Sequence, residues 1–436
     1  MTETTILRGR LLRFAGDPFE IGAEAALVYD EDGAVAMRGG LIVDIGSAAM
    51  VLADHPDAEV SHVGEALIAP GFVDCHLHYP QTAVIASYGA QLLEWLNTFT
   101  FPEESRFGDP DYARAAAVTF FDEQLRNGTT TACSFCTIHP ESVEAYFIEA
   151  TRRGVRAVGG KVMMDRNAPD TLCDTAQSGY DDSKLLADKW HGTGRALYAV
   201  TPRFAPTSSE AQLEAAGALW AEHPDCVMQT HLSENHAEIA WVGELFPGCP
   251  DYLGVYEKYG LLGPRAIFGH AIHLTPREID RLAKVGASVA HCPTSNQFLG
   301  SGECDVAGLM RRGVDVGLAS DVGGGTSFSM FQTMKAAYEV AQRRGISLSP
   351  VHLWWLATSG AARALGIDGK IGNLAVGMEA DAVVIDLAST PLIRHRMARA
   401  ETLSEVMFAQ IVLADDRAVK TTISGGKVVY DRPESN

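Results

Sequence analysis

Apolar and polar positions change rhythm twice along the chain. From residue 1 to about 67, short β-like runs are broken by turns, as in Ala25–Gly33 and Gly39–Gly46. From about 372 onward the same style returns in Glu379–Leu387 and Lys420–Tyr430. Short runs bounded by turn residues read as strands. Residues 1–67 and 372–436 are therefore expected to form one small β-sandwich domain assembled from both ends.

Residues 68–371 alternate apolar runs with amphipathic helical patterns such as 140–153 and 276–284. The strand-like runs lie at 72–78, 129–136, 156–164, 196–202, 226–232, 266–270, 287–293 and 316–321. Eight strands alternating with helices over roughly 300 residues are the pattern of a (β/α)8, TIM-like barrel. An open doubly wound sheet would place a phosphate-binding glycine loop after its first strand. The glycine run here, Gly323–Gly325, comes late and lacks that spacing. The expected class is α/β, with the barrel as its centre.

Composition narrows the partners. Thirty-five basic and 55 acidic side chains give a net charge of −20 in 436 residues. Such a surface repels phosphate backbones, so neither nucleic acid nor an anionic membrane is an expected partner. A small neutral substrate remains open. The N-terminus lacks the apolar core of a signal peptide, and no apolar run approaches the ~18 residues that would cross a bilayer. Eight cysteines in no regular framework fit a reducing compartment, and the expected location is cytoplasmic.

Chemistry enters at Pro70–Gln81. His76 and His78 are two apart at the end of an apolar run, and period-two alternation points both imidazoles to one face. A lone His-x-His pair is weak evidence, but His231, His270 and Asp321 also close strand-like runs. In a barrel, side chains at the C-terminal strand ends meet at one mouth. Nitrogen ligands plus a carboxylate suit a divalent ion, zinc first and iron second. Glu234, three residues after His231, is placed for general acid/base work beside a metal-activated water. The competing reading is a charge at a helix start, with Ser233 as N-cap; both can hold, and the neighbouring His231 favours catalysis.

The run ProGlyPheValAspCysHisLeuHis (70–78), the His231, His270 and Asp321 strand ends and the AlaAspAlaValValIleAsp run (380–386) resemble the amidohydrolase superfamily over nearly the whole chain. Within it, TyrProGln (79–81), the long run 92–104 and ThrProArgPhe (201–204) look like those members that deaminate guanine. The resemblance implies one Zn2+ per chain (Fe2+ as alternative) held by His76, His78, His231 and Asp321. It implies Glu234, Asp321 and His270 as catalytic groups. It also implies a purine bound by Gln81, Arg203 and Phe204 beside His78, Glu234 and His270, in a homodimer. Arginine carries only donors and so suits the O6/N7 acceptor edge of guanine, while Phe204 offers a ring face. The alternatives are an amidohydrolase acting on an oxidised purine or a triazine, or a non-catalytic barrel scaffold.

Other candidates carry less. Cys133-x-x-Cys136 has no second pair to complete a metal site. Lys161 sits too early in its run to bridge two metals and reads as structural. His273 and His291 lie near ligand strands and suit supporting roles. The P-C-x-x-C half of the signature of the other zinc deaminases is missing from the chain.

Overall fold

The computed structural model describes residues 3–88 and 91–433, so Met1, Thr2 and Glu434–Asn436 of the two expected terminal segments lie outside it. Sixteen strands follow in chain order: β1 Thr5–Phe14, β2 Leu27–Arg38, β3 Leu41–Ser47, β4 Glu59–Pro70, β5 Phe72–His78, β6 Thr129–Phe135, β7 Arg156–Gly160, β8 Val162–Met163, β9 Ala196–Pro202, β10 Val227–Leu232, β11 Ala266–His270, β12 Ser288–His291, β13 Val316–Leu318, β14 Ala382–Ile385, β15 Val419–Ser424 and β16 Lys427–Asp431.

Parallel pairing runs β5-β6-β7-β9-β10-β11-β12-β13. The ends of that path are joined just beyond the last strand, where Asp321 N donates to His76 O (3.0 Å) and His78 N to Val322 O (2.7 Å). These eight parallel strands make the barrel expected from the apolar runs. Helices between them start and stop by ordinary local rules. In Pro276–Val285, Thr275 and Glu278 cap each other's backbone, Pro276 opens the helix and Gly286 (φ 71°) ends it. The Pro140–Arg153 helix likewise begins at a proline and ends at Gly154 (φ 70°).

Two details depart from the sequence reading. The third run breaks at Lys161, so β7 ends at Gly160 and the two-residue β8 pairs separately with β9. An added Cβ at Gly160 would meet Ala199 O at 1.8 Å, so only glycine allows this close backbone approach. The last strand stops at Leu318, three residues before Asp321, which sits on the following turn at φ 51°.

Inside the barrel, Val73, Cys75, Cys133, Val158, Ala199, Val227, Ile267 and Ala290 pack with Cys292 and Ala319. The outer core, between strands and helices, contains Cys136. Cys133 on β6 and Cys136, one residue past its end, belong to different layers. They cannot act as a pair.

The terminal segments form a seven-stranded sheet, β16-β15-β14-β4-β1-β2-β3. Register breaks in β1, β2 and β15 let it curl. Ile42 N at one edge then donates to Met378 O (2.8 Å), close ahead of β14, and the sheet folds over Leu11, Val35, Ile42, Ile68, Val384 and Ile423. Arg156 and Arg195 from the barrel tie to Glu379, and Arg195 also to Asp381, fixing the sheet to the barrel's lower end.

Candidate active site

At the barrel mouth, β5 delivers His76 and His78, β10 His231, β11 His270, and the turn after β13 Asp321. His78 Nε2 lies 3.1 Å from His231 Nε2. Asp321 Oδ1 stands 3.4 Å from His76 Nε2 and 3.6 Å from His78 Nε2. A tetrahedral ion with bonds of about 2.0–2.1 Å has ligand–ligand edges of about 3.3 Å. The measured separations are edges of that size, and His76 Nε2 is buried without a hydrogen-bond partner. Three nitrogens and one oxygen suit a divalent ion: the three imidazoles lie within 4.8 Å of one another, and Asp321 groups with His76 beside them.

Their surroundings suit them to holding a metal. Burial holds His76, His78 and His231 below the usual imidazole range, so they stay neutral with a free lone pair. His231 Nδ1 hydrogen-bonds the Arg203 carbonyl at 2.7 Å, which places the proton there and leaves Nε2 bare. Burial alone would push Asp321 up, but His76 and His270 outweigh it and keep the carboxylate ionised below its ordinary value. Ser233, His270, Ala271 and Asp321 all have positive φ (49°, 66°, 45° and 51°). Such conformations strain non-glycine residues by ~1–3 kcal/mol each and cluster at functional sites.

Glu234 faces the same point. Its Oε1 accepts from Ser301 Oγ (2.8 Å), and its Oε2 lies 3.5 Å from His270 Nε2. Burial pushes the Glu234 carboxyl up, against the pull of His270, toward the range where a group can both take and give a proton. His270 Nδ1 donates to Asn296 Oδ1 (2.8 Å) and its Nε2 looks toward Glu234 and Asp321 Oδ2 (3.7 Å). Burial disfavours the imidazolium, yet the two carboxylates and Asn296 prevail and raise His270 above its usual value.

Glu234 does not start a helix. The helix runs His236–Leu245, and its N-cap is Asn235, whose side chain accepts from Ala237 N (2.9 Å); Ser233 is not the cap. Glu238, one turn on, accepts from the backbone N–H of Glu234 (2.9 Å) and of Asn235 (3.1 Å) and from Tyr252 Oη (2.7 Å). That clamp fixes where Glu234 points.

A cavity of about 430 Å3 opens onto this cluster, its lining including Leu92, Trp95, Leu96 and Leu299 as well as Gln81, Arg203 and Phe204. Arg203 is not a free cation. Its Nη1 and Nη2 donate to Glu104 Oε2 (2.6 Å) and Oε1 (3.1 Å), and Gln81 Nε2 donates to Glu104 Oε1 (2.9 Å). Phe204 lies edge-on to His231, centroids 6.3 Å apart.

The remaining candidates resolve as follows. Lys161 is fully buried and paired with Asp174 (2.5 Å), away from the ligand cluster. His273 hydrogen-bonds Ser301 O (2.8 Å) and so supports the residue that holds Glu234. His291 is buried, with both ring nitrogens unpartnered, and burial pushes it down to about 3. A separate group, His191, Asp225 and Cys226, has both imidazole nitrogens already engaged, by Asp225 and by Tyr198 N.

Sequence reasoning missed Glu104, Glu238, Asn296 and Ser301. Glu104 closes the 92–104 run that carried the resemblance, and Glu238 stands one helical turn after Glu234. Asn296 lies in the short helix Pro293–Phe298 and Ser301 just beyond it, neither with a sequence signal of its own.

Comparisons with known proteins agree with this geometry. The Amidohydrolase family model matches residues 67–429, and an imidazolonepropionase-like composite domain of bacteria matches 33–58. Guanine deaminase of Escherichia coli (strain K12) is 46% identical over 421 residues, covering 96% of this chain and 95% of that protein. The E. coli guanine deaminase structure superposes with a TM-score of 0.97 at 44% identity, over 98% of this chain and 100% of that one. A guanine deaminase from C. acetobutylicum, solved with guanine bound in its active site, gives 0.89 at 28% identity, again over 98% and 100%. The chain belongs to the amidohydrolase family, on its guanine deaminase branch.

Proposed function

We propose that this protein hydrolyses guanine to xanthine and ammonia, using one zinc ion held by His76, His78, His231 and Asp321. The observation that carries the proposal is a single cavity lined by His78, His231, Asp321 and Glu234 together with Gln81, Arg203 and Phe204, with His76 beside Asp321. The similar guanine deaminases support the choice of substrate.

Bound zinc supplies positive charge and acidifies a water molecule. The protein's own groups do the rest. Arg203 and Gln81 hold the O6/N7 edge while Phe204 and the leucine–tryptophan wall enclose the ring, presenting C2 to the ligand cluster. The water oxygen bonds to C2 as Glu234 takes a proton and passes it to the adjacent ring nitrogen. His270, between Glu234 and Asp321 Oδ2, hydrogen-bonds the developing tetrahedral centre. The C2–amine bond then breaks and ammonia leaves, with the last proton moving through Asp321. Water and guanine are consumed, and xanthine and ammonia account for every atom.

One zinc per chain should be found by elemental analysis of protein purified without chelator. Removal with a chelator should abolish ammonia release from guanine, and zinc should restore it. Two metals per chain, or none, would defeat this ligand assignment. The same assay separates guanine from oxidised purines and triazines as substrates.

A cytoplasmic homodimer is part of the same reading. Among the described residues, no helix is long and apolar enough to cross a membrane. Sedimentation of the purified enzyme would give the oligomeric state.

A further inference from the structure

Behind the two polar side chains that face the cavity sits Glu104, 1% exposed, at the end of the short helix Phe101–Glu104. Both its oxygens are engaged, by Arg203 Nη1 and Nη2 and by Gln81 Nε2. The segment that carries it also provides Leu92, Trp95 and Leu96 of the cavity wall, and the Phe101 ring lies 5.4 Å from the Arg203 guanidinium carbon.

Donor and acceptor logic gives this contact a consequence. An amide such as Gln81 can offer a ligand either its oxygen or its nitrogen. A carboxylate has no donor, so Glu104 accepts only the NH2 end. Gly323 N–H, 3.3 Å from Gln81 Oε1, holds the oxygen on the other side. One amide orientation satisfies both neighbours. What Glu104 leaves to a ligand is the second amide N–H of Gln81 and the remaining N–H groups of Arg203, while Gly323 takes one of the two lone pairs on Gln81 Oε1. Charge follows the same rule. The buried guanidinium and carboxylate cancel, so the recognition end is neutral toward a neutral heterocycle. An unpaired guanidinium would instead favour an anionic one, such as deprotonated xanthine, whose second carbonyl makes its ring N–H more acidic.

We propose that Glu104 is a specificity-determining positioning residue, which turns N–H groups of Gln81 and Arg203, at no net charge, toward the acceptor edge of a 6-oxopurine. The identity of the ligand rests on the function proposed above.

The test compares zinc-loaded wild type, Glu104→Gln and Glu104→Asp. Hypoxanthine and adenine serve as binding probes, since neither has an amine at C2, and xanthine is titrated as neutral and anionic forms. Glu104→Gln should raise KM for guanine about 10–100-fold, the worth of charge-assisted hydrogen bonds, while kcat moves far less and zinc content stays at one. Its preference for hypoxanthine over adenine should shrink, and anionic xanthine should bind more tightly. Glu104→Asp keeps the charge but retracts the carboxylate. It should raise KM without the gain for the anion, and it serves if the glutamine variant does not fold. If all ligands weaken alike while kcat and zinc fall with KM, Glu104 is only a packing residue and the proposal is overturned. A wild-type enzyme inert on guanine that still prefers hypoxanthine, and loses that preference in Glu104→Gln, would defeat the assigned reaction but not this role. Wild-type protein that binds adenine as well as hypoxanthine overturns the role whatever it turns over.

Discussion

Glu234→Gln is expected to retain one zinc per chain and lose about 10²–10⁴-fold in kcat on guanine, the usual contribution of a general acid/base group. That is about 3–5 kcal/mol of barrier. The substitution should be geometrically quiet. Gln can still accept from Ser301 Oγ, and the backbone at 234 is held by Glu238 rather than by its own side chain. What disappears is the proton acceptor facing His270 at 3.5 Å. Steady-state rates with zinc analysis on the same samples decide the matter. Near-normal turnover would move the proton shuttle to Asp321 or His270, the two groups that share its surroundings.

Much of the frame was legible because it depends on short-range pattern. Eight apolar runs located the barrel strands to within a few residues, since each strand is buried on both faces and reads as a continuous apolar stretch. The convergence of His76, His78, His231 and His270 was legible for a related reason: strand ends in a barrel converge, whatever the loops do. Asp321 tested that logic at its edge, lying three residues past the last paired position and held by its hydrogen bond to His76 O. The helix after β10 begins at His236, behind Asn235, because Glu238 completes the capping box three residues after Asn235. Ser233 has no such partner at that spacing. Glu104 was illegible in its role. Its partners are 23 and 99 residues away, and only the conformation of the 92–104 segment brings them together. Arg203 was assigned to the purine edge with a structural ion pair as the competing view; the structure contains the ion pair, and the donors left over still face the cavity.

Guanine should outcompete adenine by as much as ~10⁴–10⁵ in kcat/KM, because a site built to hydrogen-bond a substrate group rejects an analogue that leaves it unpaired. Adenine presents an amino donor where guanine presents O6, so the N–H groups of Arg203 would meet another donor. It also has no amine at C2, where attack is assigned. Arg203→Met should therefore lower kcat/KM for guanine with zinc intact. The single variant alone is ambiguous, because it strands the buried Glu104 carboxylate, and removing one member of a buried pair typically destabilises by about 3–5 kcal/mol. Arg203→Met combined with Glu104→Gln removes that stranded charge and leaves an acceptor for Gln81. The double variant should recover thermal stability without recovering the rate on guanine. Normal guanine turnover in the folded double variant would mean that Arg203 is present only to neutralise Glu104, and that the purine lies in the cavity in another orientation.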